Sequence, residues 1–283
     1  RCDKVWESYL LPRLFDKKGW ALFPSTPNGL GLFYDLYKKE SKGEEAWASF
    51  TGPSWDNPLI DKAEIDKEYL GKIPERVYQQ EFEAKFLEGG GSVFTNVDEC
   101  AVLPILEDGP DPFNQYFMGV DIGRQHDYTV IIVMRQNGDV VHFRRESRQR
   151  YDTQEDLIEA EWKKWNFPVL TVDSTGIGDP VVESLKQRGV VVANERDKER
   201  PGFKFTHESK RKLIDNLTVM LENRQIRLPQ RHLFPELIDE LKEYEYDVSE
   251  AGVVKMRGRG KWDDCVIATA LAAWPFRTRS HLL

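Results

Sequence analysis

The sequence contains few of the residues that build zinc sites and disulfide frameworks. Its 283 residues include only three cysteines, Cys2, Cys100 and Cys265, which lie far apart and form no C-x-x-C pair. There are five histidines and no H-E-x-x-H motif. This spacing excludes a zinc knuckle and a disulfide scaffold, and it favours a reducing compartment. A metal site built from histidine is therefore not expected.

Two further absences concern membranes and nucleotides. The longest apolar stretch, 266–276, is much shorter than the roughly 20 residues of a membrane span. Residues 1–15 lack the layout of a signal peptide. No G-x-x-x-x-G-K-[ST] loop occurs in the sequence, so ATP binding through such a loop is not expected. We therefore expect a soluble protein without membrane partners or bound ATP.

The charge balance is acidic overall but includes basic stretches. The formal net charge is −8. Residues 196–212 nevertheless carry seven Lys or Arg against three acids, and Lys210 and Arg211 are among the seven. A second basic stretch contains Arg257, Arg259 and Lys261. Such stretches can follow the phosphate backbone of DNA, or they can be ordinary solvated surface.

Turn signals divide the chain into two parts. The triplet Gly89-Gly90-Gly91 is a candidate boundary, so we predict a first part at 1–91 and a second at 92–283. In the first part, the patterns predict a short buried strand over 20–24. They also predict helices over 5–15, 32–39, 61–70 and 74–86.

The second part alternates between strands and helices, which predicts an α/β fold. Strands are predicted over 117–123, 128–135, 139–147, 168–175 and 190–193. Helices are predicted over 153–165, 180–188, 208–223, 235–244 and 262–274. A right-handed crossover would lay the fourth strand parallel to the first, giving a mixed sheet in the order 3-2-1-4-5 flanked by helices. Ligands in such a sheet bind beside the first and fourth strands, where the strand order reverses.

Acidic residues stand at that edge of the predicted sheet. Asp121 ends the first strand, Asp173 ends the fourth, and Asp263-Asp264 opens the last helix. Carboxylates in apolar surroundings are costly unless they are paired, hydrogen-bonded or bound to metal. Without histidine or cysteine, such oxygen ligands select Mg²⁺ or Mn²⁺, and three or four of them suit a two-metal site. The alternative is that each aspartate only starts a turn or caps a helix.

Two details of this predicted site stay open from the residues alone. Spacing does not decide whether Asp263 or Asp264 is the direct ligand. Asp127 lies six residues after Asp121, past a predicted turn, and could reach the same ions from the edge.

Several short motifs occur in a fixed order along the chain. They are FPSTPNG with FYDLYKKE, SWDNPLI with VYQQEFEAKF, and then MGVDIGRQHDYT, VDSTGIGDPV and KWDDCVIATALA. Together they resemble the large terminase subunit of tailed double-stranded DNA bacteriophages. The first motifs resemble the end of the terminase ATPase domain and its passage to the nuclease. The last three resemble the acidic motifs of the nuclease itself.

The resemblance implies a ribonuclease H-like fold, preceded by a partial ATPase and linker region. It implies a two-metal endonuclease that cuts concatemeric viral DNA during packaging, with Mg²⁺ or Mn²⁺ as the cofactor. The expected partners are double-stranded DNA, the portal protein and the small terminase subunit. The expected location is the host cytoplasm, transiently at the procapsid portal. ATP hydrolysis is expected only of a full-length chain.

The resemblance also implies roles for individual residues. By their place in the motifs, Asp121 would bridge the metals, Asp173 would hold one, and Asp264 would hold the other with Asp263 assisting. Asp127 matches an additional acid that some members carry. Lys210 resembles a basic residue that faces the DNA backbone, and an ordinary solvated lysine is the alternative.

Two other functions fit parts of the sequence. An actin-like or sugar-kinase ATPase also begins with a strand followed by Asp-Ile-Gly, here at Asp121, but that fold needs a second copy of the domain. A terminase module without nuclease activity could instead grip DNA and dock on the portal. A metal-dependent DNA cleavage assay separates these functions.

Overall fold

The chain forms two compact units in the structure, which is a computed structural model. Unit 1 comprises Arg1–Gly91 and Tyr246–Met256, and unit 2 comprises Ser92–Glu245 and Arg257–Leu283. The structure describes residues 5–27, 31–87, 91–123, 128–147, 150–176, 178–193, 202–248, 254–258 and 262–277. In these ranges, no helix has both the length and the apolar character needed to cross a bilayer.

Unit 1 contains short helices held by aromatic contacts. Phe86 packs against three rings of one helix, those of Phe33, Tyr34 and Tyr37, at centroid distances of 5.8, 5.1 and 4.9 Å. The helices are α1, a π-helical turn (Trp6–Leu10), α2 (Leu11–Lys17), α3 (Leu32–Ser41), α4 (Lys62–Tyr69) and α5 (Glu75–Glu81).

The predicted strand at 20–24 is wrong. These residues have no regular secondary structure, and Trp20 and Leu22 are 81% and 71% exposed. Phe23 instead packs against Trp6 and Trp47, at centroid distances of 4.8 and 6.4 Å. A single aromatic anchor therefore holds a segment whose apolar composition favoured a strand.

Unit 2 is built around a mixed sheet of four strands. They are β1 (Tyr116–Asp121), β2 (Tyr128–Arg135), β3 (Val140–Ser147) and β4 (Val169–Val172), in the order β3-β2-β1-β4. β1 pairs antiparallel with β2 and parallel with β4. The turn between β2 and β3 contains Gly138 at a φ of 88°, a left-handed conformation that glycine adopts without strain. The α/β class and the order of the first four strands are as predicted.

The edge of the sheet beside β4 is compatible with the predicted order 3-2-1-4-5, but its fifth position is not a full strand. Residues 190–193 run parallel to β4 but form one isolated bridge, between Val192 and Leu170, instead of a full strand. Val190 and Val192 are buried while Val191 is 70% exposed. An isolated bridge therefore occupies the place predicted for the fifth strand.

Helices cover both faces of the sheet. α7 and α8 share a buried core with the sheet residues Met118, Val120 and Leu170. α11 packs on β1 and β2 across the opposite face and contacts α9 and α10. The helices of unit 2 are α6 (Val97–Cys100), α7 (Tyr151–Lys164), α8 (Gly178–Gln187), α9 (His207–Glu222), α10 (Pro235–Lys242) and α11 (Asp264–Ala273). Two further strands, β5 (Tyr244–Val248) and β6 (Val254–Gly258), form a separate two-stranded sheet that was not predicted.

α11 packs directly against the sheet at a glycine of β1. All of its residues from Cys265 to Ala273 are buried, as is typical of a helix that is apolar on every side. A Cβ atom added to Gly119 of β1 would lie 2.1 Å from Ala268 O and 2.2 Å from Ala272 N. The glycine therefore lets the helix backbone rest directly on the strand, which brings the first turn of α11 near the sheet edge.

Candidate active site

Two aspartates lie at the carboxyl ends of the neighbouring parallel strands β1 and β4. Asp121 is the last residue of β1, and Asp173 follows β4 directly. In the register of this pair, Val120 lies opposite Val172, and Asp173 N donates to Val120 O at 3.2 Å. The two aspartates therefore occupy adjacent positions at one edge of the sheet.

The first turn of α11 brings two more aspartates to this edge. Asp264 is the first residue of the helix and Asp263 precedes it. Asp264 Oδ2 accepts a hydrogen bond from Tyr128 N, at the start of β2, at 3.4 Å. Because side chains alternate along β1, Asp121 lies on the same face as Gly119, which is the face that α11 covers.

The pKa of Asp121 shows that the four acids form one cluster. Burial raises the pKa of Asp121 well above its ordinary value of 3.8, and the charges of Asp264, Asp173 and Asp263 raise it further. Lys210 opposes these effects and lowers it. Like charges shift a pKa in this way only when they lie near one another. The structure thus gathers the four aspartates singled out by sequence together with Lys210.

The four aspartates form an open charge cluster and not a closed cage of ligands. Across the ranges that the structure describes, no three His, Cys, Asp or Glu side chains are arranged to hold a metal ion by themselves. Mg²⁺ commonly keeps several waters and is held by one or two carboxylates together with phosphates of the substrate. An open set of carboxylates without histidine or cysteine fits a hard cation bound in this way.

Asp173 is held by the turn in which it lies. Its Oδ1 accepts a hydrogen bond from Thr175 N at 2.8 Å, and Thr175 Oγ1 accepts one from Phe205 N at 2.7 Å. An aspartate that bonds the main chain two residues later forms an Asx turn, which restricts its carboxylate. Thr175 is not among the predicted site residues, although its spacing of two residues from Asp173 is typical of such a turn.

Lys210 contacts the acidic cluster directly. It lies near the start of α9, where a capping box of Thr206 and Ser209 fixes the end of the helix. Its Nζ is 3.2 Å from Asp263 Oδ2, and the two side chains are 40% and 33% exposed. An ion pair this exposed adds little to stability. Its importance is that a solvent-accessible positive charge stands beside the acids.

The other residues predicted to bind DNA or metal have different surroundings or lie outside the described ranges. Arg211, also on α9, pairs with Asp215, with its Nε 3.7 Å from Asp215 Oδ2. Arg257 is exposed on β6. The predicted site residues Asp127, Arg259 and Lys261 lie outside the described residues.

Two further residues lie behind the acidic cluster and were not part of the predicted site. Glu240 of α10 is 9% exposed, and its Oε2 accepts a hydrogen bond from Cys265 N in the first turn of α11 at 2.8 Å. Arg145 of β3 reaches the same carboxylate, with its Nη2 3.8 Å from Glu240 Oε1. Glu240 lies in a segment whose pattern indicates only an amphipathic helix, and Arg145 lies in a predicted strand within a run of arginines.

Comparison with known proteins assigns this sheet and its acids to one family. The model of the terminase RNase H-like domain matches residues 118–273, which is more than half of the chain and contains all four aspartates. The chain belongs to this family. The resemblance to large terminase subunits and the ribonuclease H-like fold are thereby confirmed. The match favours the terminase interpretation over the actin-like ATPase considered as an alternative.

Similar terminase proteins come from thermophilic phages. The large terminase subunit of Thermus virus P23-45 is 28% identical over 293 residues, covering 95% of this chain and 58% of that protein. The chain therefore spans a little over half the length of this relative. The crystal structure of the large terminase nuclease from phage G20c with bound magnesium is 25% identical with a TM-score of 0.56, covering 65% of this chain and 96% of that one. A large terminase from another thermophilic bacteriophage shares the fold, with 16% identity and a TM-score of 0.63 over 89% of this chain and 61% of that one.

Proposed function

We propose that this chain contains the nuclease domain of a large terminase subunit, preceded by the end of its ATPase domain, and cuts double-stranded DNA with Mg²⁺ or Mn²⁺ as cofactor. The acidic cluster at the end of β1, the end of β4 and the first turn of α11 carries the proposal. Crystal structures of the G20c large terminase nuclease with bound magnesium and bound cobalt add support for a divalent ion.

The charge of the cluster explains why cations are needed there. Four carboxylates at one edge would repel a DNA backbone. Burial raises the pKa of Asp121 most, and the charges of the other three acids raise it further. Asp121, Asp173 and Asp264 would hold two ions, with Asp263 assisting and Asp127 as a further ligand. Bound ions of this kind activate a water molecule and stabilise the leaving oxygen of a phosphodiester.

Groups of this chain orient the acids and the substrate. The main-chain amides of Thr175 and Tyr128 bond Asp173 and Asp264, which restricts both carboxylates before any cofactor arrives. Lys210, which stands partly exposed beside Asp263, would contact a backbone phosphate of the DNA. This arrangement would place a phosphodiester next to the acids without reading its bases.

The cleavage would serve genome packaging. We propose that the substrate is concatemeric viral DNA and that the chain works with the portal protein and the small terminase subunit. The site of action would be the host cytoplasm, transiently at the procapsid portal. ATP hydrolysis is proposed only for a chain of the relatives' full length.

Purified protein is expected to nick and linearise supercoiled plasmid DNA in the presence of Mn²⁺ or Mg²⁺, as measured on agarose gels. Chelation by EDTA should stop the reaction because the carboxylates alone repel the substrate, and added Mn²⁺ should restore it. Cleavage that persists in excess EDTA would rule out the metal-dependent mechanism. DNA binding without cleavage in either metal would favour the inactive module that grips DNA.

Replacing Lys210 with glutamine is expected to weaken DNA binding a few-fold, whatever the sequence. The slope of log affinity against log salt should fall by about one, because one phosphate contact is lost. Fluorescence anisotropy over a salt series measures both quantities. Lys212→Gln is a matched control, since Lys212 lies on the same helix and pairs with Glu208 at 2.6 Å. Equal losses in the two variants would place the phosphate contact elsewhere.

A further inference from the structure

The start of α11 is capped by a residue from another helix. The first amides of a helix have no acceptor within it, and a preceding aspartate often supplies one. Asp263 occupies that position but makes no side-chain capping bond. Glu240 of α10 supplies an acceptor instead, with Oε2 2.8 Å from Cys265 N. The amide that it binds belongs to the residue next to Asp264.

Arg145 connects this cap to the other support of Asp264. Its Nη2 lies 3.8 Å from Glu240 Oε1, and its Nη1 lies 3.9 Å from Glu236 Oε1. The same guanidinium covers the ring of Tyr128, with Cζ 3.5 Å from the ring centroid. Tyr128 is the residue whose main-chain amide donates to Asp264 Oδ2. Glu240, which is buried, and Arg145, which is partly buried, therefore contact both groups that support Asp264, the main chain of α11 and Tyr128.

We propose that Glu240 and Arg145 are positioning residues that hold Asp264 in place as a metal ligand. The proposal rests on the metal-dependent nuclease function proposed above. Glu240 fixes the main chain on the carboxyl side of Asp264, and Arg145 fixes the residue that bonds its carboxylate. In this role, neither residue touches the metal or the DNA.

Stability alone is a weak explanation for this pair. Burial raises the pKa of Glu240, while the hydrogen bonds from Cys265 and the charge of Arg145 oppose that shift. Replacing a buried ion pair with apolar residues of similar volume is often neutral or stabilising. Unlike an apolar residue, a carboxylate under the first turn of α11 supplies a hydrogen-bond acceptor for the main-chain amide of Cys265, next to Asp264.

The test compares Mn²⁺ binding by calorimetry in the parent protein and in variants of Glu240. Glu240→Ala is expected to weaken Mn²⁺ binding at least about tenfold, as is typical when the support of a ligand is lost. Glu240→Gln keeps an acceptor oxygen and should lie between Glu240→Ala and the parent. Glu236→Gln is the matched control, because Glu236 also pairs with Arg145 but lies a turn away on α10. Its Mn²⁺ affinity should stay within about twofold of the parent's.

Two further measurements test the proposal, the cleavage kinetics of Glu240→Ala and the Mn²⁺ affinity of a variant of Arg145. In Glu240→Ala, kcat should fall while the KM for DNA stays unchanged, because a displaced Asp264 affects chemistry and not the DNA contacts. Arg145→Lys keeps the charge but loses the flat group on Tyr128, and it should weaken Mn²⁺ binding several-fold. The double variant Arg145→Lys with Glu240→Gln should lose less Mn²⁺ affinity than the sum of the losses in the two single variants, because both residues act through Asp264.

Hydrogen exchange separates failure of this proposal from failure of the proposed function. In metal-free protein, the amides around Cys265 should exchange at least about tenfold faster in Glu240→Ala than in the parent or in Glu236→Gln. If the parent binds no Mn²⁺, the metal-dependent function fails and the exchange rates alone decide the positioning role. If Glu240→Ala and Glu236→Gln agree in both affinity and exchange while both remain folded, the positioning role is overturned. Should Glu240→Ala not fold, the same comparison is made with Glu240→Gln.

Discussion

Asp121→Asn is expected to reduce metal-dependent cleavage of plasmid DNA to background, a loss of at least about a hundredfold. Asp121 ends the inner strand β1. Its pKa is raised by burial and by the charges of Asp264, Asp173 and Asp263, so it lies at the centre of the acidic cluster. Asparagine keeps the shape of the side chain but removes the charge that would attract a divalent cation. Quantified gel assays in Mn²⁺ and in Mg²⁺ measure the loss.

The same substitution is expected to stabilise the metal-free protein, and the sign follows from the pKa of Asp121. That pKa is raised in the folded protein above its ordinary value of 3.8. The stabilising contribution of protonated Asp121 is therefore complete below about pH 3.8 and is lost as the pH rises through the folded-state pKa. Asparagine does not ionise and suffers no such loss. At neutral pH, the melting temperature of metal-free Asp121→Asn should thus exceed that of the parent by a few degrees, and the difference should vanish in acid.

An exposed acid supplies the control for both effects. Asp156 of α7 has a side chain that is 72% exposed and pairs with Arg188 at 2.5 Å. Asp156→Asn should leave cleavage unchanged and should not raise the melting temperature. Added Mn²⁺ should raise the melting temperature of the parent and of Asp156→Asn but not that of Asp121→Asn. If Asp121→Asn cuts DNA like the parent, the catalytic site lies elsewhere.

Much of this site could be predicted because its signals are local. Asp121 and Asp173 each end an apolar run, and parallel neighbouring strands bring such ends together. The Asn137-Gly138 pair is typical of a tight turn between antiparallel strands, and Gly138 has a positive φ of 88° between β2 and β3. Asp263 and Asp264 open an apolar helix whose alanines allow a close approach to the sheet. These features depend on residue type and short spacing, which a sequence displays directly.

The features that were missed depend on partners distant in the chain. Glu240 is one more acid in an amphipathic helix until the fold places Cys265 N against it. The apolar segments at 20–24 and 190–193 both favour strands by composition, but a strand also needs a neighbouring strand with which it forms a ladder of hydrogen bonds. The first is held through Phe23, and the second forms a single bridge to Leu170. Tertiary contacts decided each of these cases.

Gly119→Ala is expected to destabilise the protein by about 3 kcal/mol or more, near the upper end for overpacking of a core. The added Cβ would lie 2.1 Å from Ala268 O and 2.2 Å from Ala272 N. Both are main-chain atoms of α11, so no side-chain rotation relieves the overlap and the whole helix must move from β1. Denaturant unfolding of the metal-free protein measures the change. For a unit of roughly 200 residues, the melting temperature should fall by about 6–12 °C.

The displacement of α11 also predicts a loss of activity in the molecules that remain folded. Asp264 begins this helix, and a misplacement of about 1 Å in an active site can cost roughly a hundredfold in rate. Gly109→Ala is the control, because no atom lies within 4 Å of the added Cβ there, and it should change neither stability nor cleavage. The double variant Gly119→Ala with Ala272→Gly should be no more stable than Gly119→Ala, since shortening the side chain of Ala272 leaves the clashing backbone in place. Rescue by Ala272→Gly, or parent-like stability of Gly119→Ala, would mean that α11 does not rest on β1 at Gly119.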